Sequence, residues 1–139
     1  MFGIPGGHMA IAKLAGLAVG LVYFFALPSL TDQIALNLRW GLLLWYLSLG
    51  AVIGLSGLAL RQMMPRRRVP GWLIGAGVGL WFNFLAMVLG WQMIGEFLAG
   101  FALPAELNTP LILLPEGIVL GGLIGAITHL LRPLPRGPF

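Results

Sequence analysis

The chain contains no cysteine, and this absence removes several kinds of chemistry. Disulfides, thiolate nucleophiles and cysteine-ligated metal sites all need that residue. The two histidines offer no substitute, because His8 and His129 lie in different segments with no carboxylate near them in sequence. His8 also precedes the first apolar run, which disfavours a bis-histidine haem. We therefore expect no metal site and no cofactor.

Charge is scarce as well, at 9% of 139 residues against 59% hydrophobic residues. A soluble domain carries more charge than this, and the chain is too short for more than one small bundle. The sequence predicts an integral membrane protein whose only domain, residues 1–139, lies in the lipid bilayer.

Several functions are disfavoured by what the chain lacks. The net charge of +4 is compatible with nucleic acid, but the arginines flank apolar runs instead of lining one exposed surface. No nucleophile elbow, phosphate-binding loop or dinucleotide fingerprint occurs. We therefore expect neither a nucleic-acid partner nor an enzyme.

Four apolar runs are long enough to cross a bilayer, and short polar or proline-rich connectors separate them. Short connectors join antiparallel neighbours, so the pattern predicts an all-α four-helix bundle built from two helical hairpins. The third run exceeds the ~20 residues that a crossing helix needs and must tilt, bend or project. The predicted spans are about 10–29, 40–60, 71–102 and 110–132.

Basic residues are distributed unevenly along these spans. Basic loops stay on the cytoplasmic side, so the asymmetry predicts a protein of the inner membrane with both termini in the cytoplasm. Only Arg39 is expected on the opposite side. The residues assigned to the cytoplasmic side are Lys13, Arg61, Arg66, Arg67, Arg68, Arg132 and Arg136.

Every span carries glycines four residues apart, which places positions without a side chain on one helical face. Such faces let helices approach closely, and they predict a bundle that is narrow toward the cytoplasmic side and wider where the aromatic residues lie. The alternative is that glycine is simply common in membrane helices. The expected packing residues are Gly16, Gly20, Gly50, Gly54, Gly75, Gly79, Gly117, Gly121 and Gly125.

The two halves of the chain also resemble each other. Residues 15–26 align with 74–85, and residues 41–61 align with 112–132. These matches favour duplication of a helical hairpin, which would make the two halves a parallel repeat. The alternative is that the identities arise by chance in a chain rich in leucine and glycine. The alignment pairs Gly16 with Gly75, Gly20 with Gly79, Gly50 with Gly121 and Gly54 with Gly125.

Two glutamates within the apolar runs are the strongest functional candidates. A charged carboxylate at mid-membrane costs roughly 2.5 kcal/mol or more. Glu96 near the end of span three and Glu116 near the start of span four are expected at similar depth, where they would share a proton and handle protons or cations. Gln92 lies one turn before Glu96. The alternative is structural, with both glutamates reaching outward or pairing with Arg39.

Asn83 is expected near mid-membrane on the Gly75/Gly79 face, about 140° around the helix from Glu96. The two residues therefore do not form one polar stripe. An interhelical hydrogen bond is the favoured role for Asn83 over solute binding.

These patterns support two functions. The first is an oligomeric conduit or transporter for a proton or small solute, which uses the intramembrane glutamates. The second is a non-catalytic accessory subunit that assembles with other membrane proteins through its glycine faces. The expected partners are the lipid bilayer and either further copies of this chain or other membrane subunits.

Overall fold

The computed structural model describes residues 6–31 and 34–131, and the helices in this part form a four-helix bundle. All four long helices are long and apolar enough to span a membrane, which confirms the predicted all-α membrane architecture. Asp32, Arg132 and Arg136 lie outside the described residues. The elements are α1 (Gly6–Leu30), α2 (Leu36–Met63), α3 (Gly71–Ala99), a 3₁₀ turn (Pro110–Ile112) and α4 (Leu113–Leu130).

Helix α1 begins at Gly6, earlier than the predicted start near residue 10. The glycines before Met9 disfavour a helix, but tertiary contacts outweigh that preference. Met9 packs over Gly54, and the His8 ring packs over Gly57 of α2. Helix α2 likewise extends beyond the predicted span at both ends.

The long third span bends. Gly90 has non-helical dihedral angles of φ −118° and ψ 21°, so α3 consists of two helical pieces joined at this residue. The helix ends at Ala99, and residues 100–109 then lead back to the 3₁₀ turn at Pro110. Bending is one of the three ways expected for so long a span to fit the bilayer.

Close packing occurs mainly within two hairpins, α1 with α2 and α3 with α4. A Cβ atom placed on Gly50 would collide with the carbonyl oxygen of Ala12 and lie 3.1 Å from the Cα of Gly16. In the second hairpin a Cβ atom on Gly79 would collide with the carbonyl oxygen of Gly117. Only glycine permits backbones to approach this closely.

The two hairpins share a contact register that differs from the sequence alignment. A Cβ atom on Gly16 would lie 3.0 Å from the Cα of Gly50, and one on Gly75 would lie 3.0 Å from the Cα of Gly125. Gly16 therefore corresponds to Gly75 as aligned, but Gly50 corresponds to Gly125 and not to Gly121. The alignment of the second spans is wrong by four residues, about one helical turn, because a four-residue glycine repeat fits both registers.

The hairpins meet in an apolar core. Leu49 and Ile53 of α2 pack with Ile124 of α4, and all three are buried. The rings of Trp45 and Phe82 join α2 to α3 at a centroid distance of 5.3 Å. The end of the bundle at which α1 and α3 begin and α2 and α4 end is called the basic end below, because it carries Arg61 and the 64–70 connector.

Candidate functional site

One carboxylate joins three helices inside the bundle. Glu116 lies in the first turn of α4, and its Oε1 accepts hydrogen bonds from the hydroxyl groups of Tyr23 on α1 and Tyr46 on α2. These are the only two tyrosines in the chain. We call Glu116, Tyr23 and Tyr46 the Glu116 site.

The two tyrosine rings hold each other in place. They stack with a centroid distance of 4.9 Å and an interplanar angle of 10°. Tyr46 is only 3% exposed, whereas Tyr23 is half-buried. Parallel rings from neighbouring helices present both hydroxyl groups to the same place, which explains how one oxygen receives two donors.

The site lies within the apolar length of the helices. Tyr23 follows the start of α1 by 17 residues, and Glu116 precedes the end of α4 by 14 residues, which at ~1.5 Å per residue corresponds to roughly 21–26 Å from the basic end. The hydrocarbon core of a bilayer is about 30 Å thick. Hydrogen-bond donors are therefore needed to offset the cost of a carboxylate at this depth.

Both hydroxyl groups donate to the same oxygen. Within the described part of the chain no donor binds the second oxygen of Glu116, Oε2. The side chain is half-buried, so it is not sealed inside the protein. A carboxylate with one oxygen held and the other available has the chemistry to bind a proton or a cation.

Glu96 does not join this site. Gly117 packs against Gly79, and Glu96 lies 17 residues further along α3, beyond the bend at Gly90. The expectation of similar depth does not hold, because α3 continues well past the level at which α4 begins and residues 100–112 return along it. Glu96 is exposed, as is Gln92 one turn before it.

Arg39 binds the backbone of α1 and not a glutamate. Its Nε donates to the carbonyl oxygen of Phe24 at 2.8 Å, and its guanidinium carbon lies 4.2 Å from the centre of the Phe24 ring. Among the residues that the structure describes, Arg39 pairs with neither Glu96 nor Glu116. The carbonyl and the ring face offset its charge at the end opposite the basic end.

Asn83 makes the interhelical hydrogen bond that its position predicts. It is 2% exposed, and its Nδ2 donates to the carbonyl oxygen of Leu113 at 2.8 Å. The contact ties α3 to the first residue of α4, one turn before Gly117. Asn83 thereby supports the start of the helix that carries Glu116.

The tyrosines are the site residues that sequence reasoning missed. Tyr23 and Tyr46 belong to the aromatic residues that are expected in the wider half of the bundle, where their size and not their hydroxyl groups is the predicted contribution. Their signal is chemical, because a phenolic hydroxyl within an apolar span needs a hydrogen-bond partner. Glu116 is the acceptor that both of them find.

A second polar contact lies at the basic end. Nη2 of Arg61 lies 3.0 Å from Nε2 of His8. A cavity of about 20 Å³ adjoins this contact and is lined by His8, Arg61, Val69, Thr128 and His129 among others. This volume is room for about one water molecule.

No family model matches the chain, and no curated protein or solved structure is similar enough to match it. The fold and the site define a membrane-embedded four-helix bundle with a carboxylate held between its hairpins.

Proposed function

We propose that the chain is a membrane transport protein in which Glu116 binds a proton or a small cation. The proposal depends mainly on one observation. Glu116 lies within the apolar length of the bundle, receives two hydroxyl donors on Oε1 and has no bonded donor from the described residues on Oε2. A purely structural carboxylate gains most when both oxygens are satisfied.

The packing supports transport by movement of hairpins. Each hairpin is held by backbone contacts at glycines, whereas fewer close contacts join the two hairpins. The Glu116 site is a polar contact across this weaker boundary. When Glu116 takes up a proton or cation, its bonds to Tyr23 and Tyr46 weaken, and the hairpins are released to rock against each other.

A static pore along the protomer is not the mechanism proposed. Leu49, Ile53 and Ile124 are buried between the Glu116 site and the basic end. A solute bound at Glu116 reaches that end only when this apolar layer opens. The proposal therefore requires alternating access across the boundary between the hairpins.

We further propose that the chain acts as a homo-oligomer in the inner membrane, with both termini in the cytoplasm. The arrangement of Arg61 and the 64–70 connector at one end supports this orientation. Gln92 and Glu96 support the oligomer, because they are exposed on a helix of a membrane bundle. Polar side chains on such a surface gain from pairing with another helix.

The same exposed pair favours a second candidate, an accessory subunit. In that case Glu116 is a structural link between hairpins, and Gln92 and Glu96 contact a different membrane protein. Native mass measurement in mild detergent separates the two candidates. A defined homo-oligomer supports transport, and co-purifying foreign subunits support the accessory role.

Flux in proteoliposomes tests the transport proposal directly. Vesicles that contain a dye sensitive to protons, or to the cation under test, and that carry a potassium diffusion potential are compared with and without the protein. We expect Glu116→Gln to reduce proton or cation flux to the level of protein-free vesicles, because glutamine keeps the shape but does not ionise. Glu96→Gln is the matched control and should retain flux. Equal flux in Glu116→Gln and the wild type, or none in the wild type, contradicts the proposal.

A further inference from the structure

A groove opens on the side of the bundle near the basic end, between α2 and α3. Its volume is about 490 Å³, within the range of about 300–1,000 Å³ typical of small-molecule sites. The walls are almost entirely apolar. They include Ser56, Leu60 and Met63 from α2, and Leu73, Gly77 and Val78 from α3.

Small residues keep this groove open. A Cβ atom on Gly77 would meet no other atom within 4 Å, so the α3 wall is recessed at this position. Ser56 and Ala59 are small residues on the facing wall. In a bilayer such a recess faces lipid, and an acyl chain is the apolar group available to fill it.

The connector beside the groove, which contributes Val69 to its wall, is strongly basic. The 61–70 segment contains four arginines and no acidic residue, and Arg66, Arg67 and Arg68 are all exposed. Val69 lines both the groove and the cavity beside Arg61, so the apolar and basic features are continuous. The four acidic residues of the chain, Asp32, Glu96, Glu106 and Glu116, belong to other segments.

Trp72 marks the level of the headgroups. It is exposed in the first turn of α3, directly after the arginines. Tryptophan is enriched where a membrane helix crosses the interface between hydrocarbon and water. The arginines therefore lie at phosphate depth, and the groove extends from them toward the hydrocarbon.

We propose that this surface is a binding site for an anionic phospholipid. The arginines of the connector bind the phosphate and the negatively charged headgroup, and one acyl chain occupies the groove between α2 and α3. Charge selects the occupant, because clustered basic residues next to a membrane helix attract anionic lipids. A zwitterionic lipid fills the same groove but gains less from the arginines.

The test uses the full chain, purified in mild detergent and titrated with phosphatidylglycerol or with phosphatidylcholine of identical acyl chains. Native mass spectrometry counts the retained lipids and reports the oligomeric state. We expect preferential retention of phosphatidylglycerol. Arg66→Gln, Arg67→Gln and Arg68→Gln should each reduce that preference by up to about fivefold. Inorganic phosphate should not displace the lipid.

A pair of glycine variants tests the groove itself. Gly77→Leu fills the groove, whereas Gly41→Leu adds the same side chain at an equally open glycine near the start of α2. Gly77→Leu should lose retained phosphatidylglycerol, and Gly41→Leu should keep it. Equal retention of the two lipids, or full retention by Gly77→Leu, overturns the site. Loss of an oligomer in Gly77→Leu alone shows instead that a second copy occupies the groove, which also overturns it.

Discussion

Tyr23 and Tyr46 stack across the α1–α2 hairpin with their ring planes 10° apart, and both donate to the same oxygen of Glu116. The stack belongs entirely to the first hairpin, and the carboxylate belongs to the second. One hairpin therefore supplies a preformed pair of donors, and the other supplies the acceptor. The Glu116 site therefore supplies two hydrogen bonds that join one hairpin to the other.

Removing either hydroxyl group should weaken the bundle. We expect Tyr46→Phe to lower the free energy of unfolding by about 1–3 kcal/mol, since the change removes one donor from a part-buried acceptor, Oε1 of Glu116. Tyr23→Phe should cost less, because Tyr23 is half-buried and Tyr46 is 3% exposed. Unfolding in SDS from mixed micelles measures both values. In the Glu116→Gln background the cost of Tyr46→Phe should shrink, and additive costs would contradict a shared hydrogen-bond network.

Two adjacent glycines of α4 should respond differently to alanine. A Cβ atom on Gly121 would collide with the carbonyl oxygen of Gly75, whereas one on Gly122 would lie 3.6 Å from the nearest atom, the carbonyl oxygen of Trp72. We expect Gly121→Ala to destabilise the bundle by about 1–3 kcal/mol and Gly122→Ala to change it little. Thermal unfolding in detergent compares them. Equal stability of the two variants would show that α3 and α4 do not pack in this register.

Asn83 should contribute stability without taking part in transport. Asn83→Ala removes its 2.8 Å hydrogen bond to Leu113, and we expect a loss of free energy of unfolding between about 0.6 kcal/mol, the average for membrane hydrogen bonds, and about 1.7 kcal/mol, the largest value. Met93→Ala on the same helix is the control, because the Met93 side chain is 68% exposed. Flux through Asn83→Ala, corrected for the amount of folded protein, should equal that of the wild type. A selective loss of flux would instead assign Asn83 to the solute path.

Orientation in the membrane is testable because the chain has no cysteine of its own. Single cysteines at Gln62 and Asn108 occupy exposed positions at opposite ends of the bundle. With cytoplasmic termini, an impermeant thiol reagent added outside intact cells should label Asn108→Cys and leave Gln62→Cys unlabelled. The reverse pattern would invert the topology. Labelling of both in lysed cells is the control for reactivity.

The architecture was predictable because apolar run length and flanking proline or arginine are local properties of the sequence. Run length does not predict the helix ends. Helix α1 begins at Gly6 and helix α2 at Leu36, and both begin about four residues before the predicted spans. Contacts such as Met9 over Gly54 extend α1, and those contacts are visible only in the packed bundle.

The register between helices was not predictable. Glycines at four-residue spacing fit a facing helix equally well if that helix is shifted by one turn in either direction. The sequence alignment therefore pairs Gly50 with Gly121, whereas the contacts of Gly50 match those of Gly125. The expected depth of Glu96 has a different cause, because a symmetric hairpin puts the end of span three level with the start of span four, whereas α3 continues well past that level. Glu116 stands out as a candidate because a carboxylate is rare in an apolar run. Its tyrosine partners come from distant segments, and nothing near them in the sequence marks their hydroxyl groups as donors to Glu116.

The division of the Glu116 site between two hairpins also sets an order of assembly. Both tyrosines precede Glu116 in the chain, so α1 and α2 leave the ribosome before α4 does. The two hydroxyl groups then lack their native acceptor until Glu116 enters the membrane with the last helix. Joining of the hairpins therefore brings both phenols and their common acceptor, Oε1 of Glu116, together in one step.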